Sequence, residues 1–387
     1  MGANVKRQKE LPQSAKKNWG NRPWVVDFHA TKQAIPTSVD FAVVGGGFCG
    51  LAAAAWLRKL APNKTVALFE AGELGAGSSG HTGGVALAET AAGDMPGLGD
   101  VLDGYQRITT ELGVNGDLEL PGCYELSRSK PQPESAIHWK DSGDLCVTKE
   151  VPGGTIDPGK TVSGFARAAE RSGVLLSEQT AVHDAQFRET VELRTNIGTV
   201  QAAKVLFATN AYSSELTGRK GYVQTAFTTA ILTQPLEESV IRQLGLAERK
   251  PFYTVDLPYL WGRLLGNAVM FGAGLIFFDD WRELDSLDIE TAEAREVFAR
   301  LERRVREMSP PLRDIQFTHR WGGPICISEN WEPVFRGHAE SENAIVLGGF
   351  SGHGVALSVY LGVWAAEAML GRRGLPDWDG RVASCFP

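Results

Sequence analysis

A chain of 387 residues with 43% hydrophobic and 22% charged residues can bury a large core and is expected to divide into about two domains. A net charge of -7 gives it no electrostatic case for nucleic acid or an anionic membrane surface, and no apolar run approaches the roughly 20 residues that span a bilayer. The five cysteines, Cys49, Cys123, Cys146, Cys326 and Cys385, are scattered without a C-x-x-C pair and the seven histidines are dispersed, so reduced thiols in a cytoplasmic protein are expected, with no disulfide framework and no metal site.

Residues 1–37 read as an N-terminal arm. Lys6, Arg7, Lys9, Lys16 and Lys17 come without an apolar h-region, which speaks against a secretory signal. Trp19, Pro23, Trp24 and Val25 predict that the later part of the arm packs on the body. Asp40 to Val44 then predicts a strand that runs into Gly45, Gly47 and Gly50 at G-x-G-x-x-G spacing, followed by an apolar helix over Phe48 to Ala61. A second strand, Thr65 to Phe69, ends at Glu70. The first glycine permits a tight turn, the second lets the backbone approach a pyrophosphate, and the third lets the helix lie close on the strand. The helix N-terminus offers free N–H groups and partial positive charge to a diphosphate. Glu70, about 20 residues on, can hydrogen-bond ribose hydroxyls and would repel a 2′-phosphate. The expected cofactor is therefore NAD-like or FAD-like, not NADP.

Further along, a helix is predicted over Asp100 to Leu112, and the run V-P-G-G-T-I-D-P at Val151 to Pro158 leads into an amphipathic helix over Gly159 to Gly173. Strands are predicted at Val174 to Ser177, Asp184 to Glu189, Val191 to Thr195 and Lys204 to Thr209. From about Gly221 the pattern changes to strand-like runs at Thr225 to Thr233, Tyr259 to Gly262 and Ala268 to Phe271, with a charged helix over Ile289 to Glu307 carrying Ala292, Phe298, Leu301 and Val305 on one face. The chain closes with a strand over Ala344 to Gly349, a Gly-rich turn over Phe350 to Gly354 and an apolar helix over Val355 to Leu370. A second uncovered helix N-terminus would suit the negative charge that a reduced flavin gathers near N1 and O2, a need that an NAD dehydrogenase lacks. The expected fold is α/β: a discontinuous Rossmann-like FAD-binding domain (38–120, 151–220 and 320–387) and a substrate domain of antiparallel β-sheet plus helix (121–150 and 221–319).

Four motifs together resemble the FAD-dependent oxidoreductases of the D-amino-acid oxidase family. They are V-V-G-G-G-F-C-G-L-A-A-A from Val43, F-E-A-G-E-L-G-A-G-S-S-G-H-T-G-G from Phe69, the pair G-G-T-I-D-P and A-T-N-A-Y, and G-G-F-S-G-H-G-V-A-L-S from Gly348. The Trp-containing arm, the S-G-x-x-G-G run and R-W-G-G-P at Arg320 to Pro324 look like the γ-glutamylputrescine oxidase branch. The resemblance implies that Gly45, Gly47 and Gly50 hold the FAD pyrophosphate and that Glu70, with Ala71 beside it, holds the ribose. It places Gly77, Ser78, Ser79, His81, Thr82, Gly83 and Gly84 along the diphosphate, ribityl chain and isoalloxazine, Val182 at the adenine, and Ala208, Thr209 and Asn210 close by. It puts Gly349, Phe350, Ser351, Gly352, His353 and Gly354 under the pyrimidine end. A histidine in a similar run is joined to flavin in dimethylglycine-oxidising relatives, which leaves a covalent link through His81 open, with non-covalent FAD the expectation.

The implied reaction is oxidation of a C–N bond in a small amine or amino acid: hydride goes to flavin N5, the imine is hydrolysed, and the electrons pass to oxygen or another acceptor. Tyr259, Trp261, Arg263, Trp321 and His353 are the candidate catalytic residues. Aromatic faces would suit an ammonium, and Arg263 a carboxylate. Ala356 stands where sarcosine oxidase has a carboxylate-binding lysine, and V-A-L-A-E after Gly84 lacks its arginine, so sarcosine is not expected. An apolar residue near Met270 replaces that enzyme's oxygen-activating lysine. The alternatives are a flavin subunit of a larger complex and a flavoenzyme acting on a large substrate such as modified tRNA, which the acidic balance disfavours.

Overall fold

The computed structural model describes residues 17–128, 133–212, 216–218 and 223–378. Lys6, Arg7, Lys9, Lys16, Cys385 and the expected change of pattern at Gly221 lie outside the described residues.

Five strands run parallel in the order Ser341–Gly348, Gly198–Phe207, Ser38–Val44, Val66–Phe69 and Leu175–Ser177, with Val334–His338 antiparallel at one edge. Strands such as Val66–Phe69 are buried at every residue, as a sheet covered on both faces demands. One face carries the helices Phe48–Leu60, Val101–Leu112, Pro158–Arg171 and Gly354–Met369 in one apolar core. Strands Val182–Phe187 and Val191–Thr195 extend the sheet, and Val191, Leu193 and Val200 pack with Val39, Val44 and Phe207 in a second core. The two central helices touch at Gly362, where a Cβ would come 2.5 Å from the Cys49 carbonyl oxygen.

Helix starts follow their caps. The Asp100 side chain accepts from Asp103 N and the Asp157 side chain from Lys160 N, with Pro158 in the first turn. The charged helix spans Ala292–Met308, later than Ile289, because Thr291 caps it while Ile289 N donates to the Asn18 carbonyl of the arm.

The second sheet runs Phe317–Ser328, Val223–Thr233, Ala268–Phe278, Trp261–Leu265, Phe252–Thr254, Cys123–Ser127, Asp144–Val151 and His138–Lys140. All its pairs are antiparallel except Phe252–Thr254 with Cys123–Ser127. Helices Glu238–Gln243 and Ala292–Met308 contribute to its core. The expected return to the nucleotide domain at residue 320 falls inside strand Phe317–Ser328, which pairs along its length with Val223–Thr233, so the chain changes sheet only after Ser328. Tyr259 precedes its expected strand, which begins at Trp261, because the loop over 255–260 is held by side chains instead of a ladder. The Asp141 carboxylate takes Arg128 on one side and Arg304 on the other, and Arg304 also donates to the carbonyls of Pro258 (2.8 Å) and Tyr259 (2.9 Å).

Among the described residues, no helix is long and apolar enough to cross a membrane. The two sheets meet at the carboxyl ends of the parallel strands, and the main cavity lies there.

Candidate active site

The cavity measures about 1550 Å³. Its floor begins at the turn after strand Ser38–Val44. Gly45 has φ +112°, and a Cβ there would come 2.6 Å from the Ala208 carbonyl oxygen, so no other residue fits. Gly47 lines the cavity and Gly50 does not: its missing Cβ would fall 1.9 Å from the Gly45 carbonyl oxygen, which makes Gly50 the residue that lets the turn close. Helix Phe48–Leu60 starts with no capping side chain on its N-cap and no acid in its first turn, although Phe48 N donates to Ser79 Oγ at 2.9 Å. The Glu70 carboxylate lines the cavity, accepts from Gly46 N (2.7 Å) and Gly72 N (2.8 Å), and is raised above the ordinary range by burial.

Three sequence-distant motifs meet at Asn210, whose φ of 48° is left-handed. Its amide donates to Ser78 Oγ (3.1 Å) and accepts from Gly349 N (3.1 Å), while Ser78 Oγ donates to the Pro324 carbonyl (2.7 Å). Ala71, Gly77, Ser78, Ser79, His81, Thr82, Gly83, Val182, Ala208, Thr209 and Asn210 all line the cavity. Bare backbone at Gly83 lets the Trp261 ring lie against it, since a Cβ would come 2.0 Å from the ring. Gly84 sits behind the wall, packed on the Ile156 carbonyl. Phe350, Ser351, Gly352, His353 and Gly354 line the cavity and Gly349 does not. Helix Gly354–Met369 also begins with no side-chain cap and no acid in its first turn, so two long helices aim N-termini without an N-cap side chain at one space.

Tyr259, Trp261, Trp321 and His353 line the cavity. Arg263 is placed elsewhere. It is 4% exposed, lies beside Gly84 with Nε and Nη2 unpartnered, and is lowered to about 10 by burial, against the pull of Asp157 and Glu119. Ala356 and Met270 are buried and do not line the cavity.

Three residues that sequence reasoning missed mark one end. The Tyr253 hydroxyl donates to Glu89 Oε1 at 2.7 Å and lies 3.5 Å from Glu125 Oε2, and its ring stands edge-on to His353 at 6.4 Å. Burial and the Glu89 hydrogen bond push the phenol well up, so it keeps its proton, while burial lowers His353 against the pull of Glu89. Neither Glu89 nor Glu125 has a basic partner among the described residues, and both face the cavity. The lysine and arginine that line the cavity, Lys17 and Arg282, gather with Tyr212 and Trp281 near Gly77 instead. Glu89 closes the V-A-L-A-E run, which is the one sequence signal that could have found it.

A family model described as "DAO: FAD dependent oxidoreductase" matches residues 40–368. Gamma-glutamylputrescine oxidoreductase of Escherichia coli (strain K12) is 26% identical over 378 residues, covering 86% of this chain and 84% of the relative. Glycine oxidase of Bacillus subtilis (strain 168) is 21% identical over 372 residues, covering 88% and 95%. The crystal structure of glycine oxidase from Geobacillus kaustophilus superposes with a TM-score of 0.70 at 19% identity, covering 91% of this chain and all of that one, a likeness of fold.

Proposed function

This chain belongs to the DAO family of FAD-dependent oxidoreductases, and on that footing we propose that it oxidises the C–N bond of a small amine bound as a cation. The observation that carries the substrate class is the pair of carboxylates, Glu89 and Glu125, gathered about the Tyr253 hydroxyl at the cavity wall without a basic partner among the described residues. Two half-buried carboxylates that face a cavity with no cation beside them among the described residues are ready partners for an ammonium group. The relatives' names include an amine, gamma-glutamylputrescine, and an amino acid, glycine. A carboxylate here would meet Glu89 and Glu125, while Arg263 lies behind Gly84, so the amine is favoured.

The residues present fit FAD. Two helix N-termini without an N-cap side chain suit a diphosphate and an electron-rich ring edge, and Gly45 and Gly47 keep the turn beneath the first of them tight, where a Cβ would meet Ala208 or Ser79. Gly45, Gly47, Glu70 and Val182 would hold the pyrophosphate, ribose and adenine, and the segments 77–83 and 350–354 the ribityl chain and flavin. Bound there, FAD supplies the acceptor for the hydride that leaves the carbon beside nitrogen. Tyr259 and Trp261 offer aromatic faces to the cation and shield it from water. Tyr253 stays protonated and orients Glu89 by donating to Oε1, and the two carboxylates are the groups placed to take the proton that the amine nitrogen must lose.

Anaerobic titration of the flavin spectrum with amines, N-methyl amino acids and D-amino acids tests this. Bleaching is expected with cationic amines that lack a free carboxylate, and admitting air then shows whether oxygen is the acceptor. Bleaching by amino acids alone would overturn the substrate class.

A further inference from the structure

The extended segment from Lys17 to Val25 makes contacts that a surface extension does not need. The Trp19 carbonyl accepts from Gly322 N (2.9 Å) and Asn21 N donates to the Arg320 carbonyl (2.9 Å), which binds the arm to the edge of the second sheet. Gly20 between them has φ +91°, and a Cβ would come 2.1 Å from the Arg320 oxygen. Two residues further on, the arm reaches the other domain. Trp24 Nε1 and Arg22 Nη1 both donate to the Gly80 carbonyl, at 2.8 and 3.0 Å, and Trp321 Nε1 donates to the His81 carbonyl at 3.0 Å.

The His81 ring is held as well. Nδ1 lies 2.9 Å from the Gly77 carbonyl, which can only accept, so Nδ1 carries the proton. Arg22 Nη1 lies 3.2 Å from Nε2 and 3.4 Å from Nδ1, nearly equidistant, so the guanidinium packs against the ring itself. Trp19 packs edge-on against the same ring at 5.1 Å. Arg22 is outside the cavity and His81 is on its wall, so Arg22 acts through His81.

We propose that the N-terminal arm is a working part of the cofactor site: it splints the turn Gly77–His81 to the second sheet, and Arg22 is the positioning residue that fixes this turn through the Gly80 carbonyl and the His81 ring. The inference rests on the reading that this cavity holds FAD.

The test uses the full chain, stripped of flavin and titrated with FAD, in wild type, Arg22→Gln, Arg22→Lys and Trp24→Phe, which removes the indole donor and keeps an aromatic ring against Trp321. Arg22→Gln and Trp24→Phe are expected to weaken the FAD Kd about tenfold or more, the scale of one hydrogen bond to a positioned carbonyl. Arg22→Lys should recover part of that loss. An unchanged Kd in both Arg22→Gln and Trp24→Phe would overturn the proposal. A fall in apoprotein melting temperature with unchanged Kd would also overturn it, by making the arm merely structural. Failure of the wild type to bind FAD would instead sink the cofactor reading itself.

Discussion

Glu89 and Glu125 separate charge from shape in a way a single substitution can expose. In Glu89→Gln the amide oxygen can still accept from Tyr253, so the phenol keeps its place while one charge is removed from the cavity wall. Removing one partner of a charge-assisted pair costs about 2 to 5 kcal/mol where the remaining charge is left dry, and less where water enters. The KM for a cationic amine is therefore expected to rise about 10- to 100-fold in Glu89→Gln, with FAD affinity unchanged; steady-state kinetics beside an FAD titration would check both, and an unchanged KM would remove Glu89 from substrate binding. Gly45 could be placed at the cavity from sequence because its demand is local: a backbone conformation and a close approach that only glycine allows. Tyr253 could not, because it reads as one residue of an ordinary strand, and Glu89, its hydrogen-bond partner, is 164 positions away. Arg263 shows the converse error, since its position beside Trp261 suggests cavity contact that Trp261 itself takes, with Arg263 packed on Gly84.

Elements that carry their own boundaries were legible, and those defined by neighbours were not. Helix Val101–Leu112 has an acid at its start and Gly113 in the left-handed conformation at its end, and Pro158–Arg171 has Asp157 and Pro158, so the local sequence marks them. Strand Phe317–Ser328 contains Gly322, Gly323 and Pro324, and nothing in its local sequence marks it as a strand; it is an edge strand, where a missing N–H is tolerated, and only its register with Val223–Thr233 reveals it. The loop over 255–260 shows the same dependence. It has no ladder of its own and is pinned through Asp141, 3% exposed in its side chain, to Arg128 and Arg304, which in turn bind Asp256, Pro258 and Tyr259. Asp141→Ala takes from Arg304 the carboxylate it pairs with, leaves Arg128 with Asp256 alone, and is expected to destabilise the protein by about 3 to 5 kcal/mol. Because Tyr259 and Leu257 line the cavity, the same substitution should raise the KM for substrate while leaving the FAD Kd unchanged. Urea unfolding and kinetics on the one variant would check this, and a loss of stability below about 1 kcal/mol would show that the cluster does not anchor the loop.

At the scale of the molecule, the parallel sheet, the second sheet and the arm converge on one wall, and His81 sits at the junction of all three. The site is therefore coupled to global stability through the protonation of that ring. Burial and then the Arg22 charge hold His81 down to about 4, against an ordinary value of 6.5. His338 and His353 are lowered as well, each chiefly by burial. Between pH 6.5 and about 4 the unfolded chain binds protons that the folded chain refuses, so the stability these histidines allow is fully present above 6.5 and is lost as the pH falls. For His81 the shift amounts to roughly 3 kcal/mol across that window. Carboxylate protonation contributes in the same range, so the difference between wild type and a variant is the informative quantity. His81→Asn retains an amide N–H for the Gly77 carbonyl and removes the titrating ring. Its apoprotein stability is expected to fall less steeply between pH 6.5 and 4.5 than that of wild type, the slopes differing by up to one proton in denaturant titrations run at each pH, while above pH 7 the two should run parallel. Equal slopes throughout would mean that His81 takes up its proton in the folded state as readily as in the unfolded one, and that the arm does not shield it.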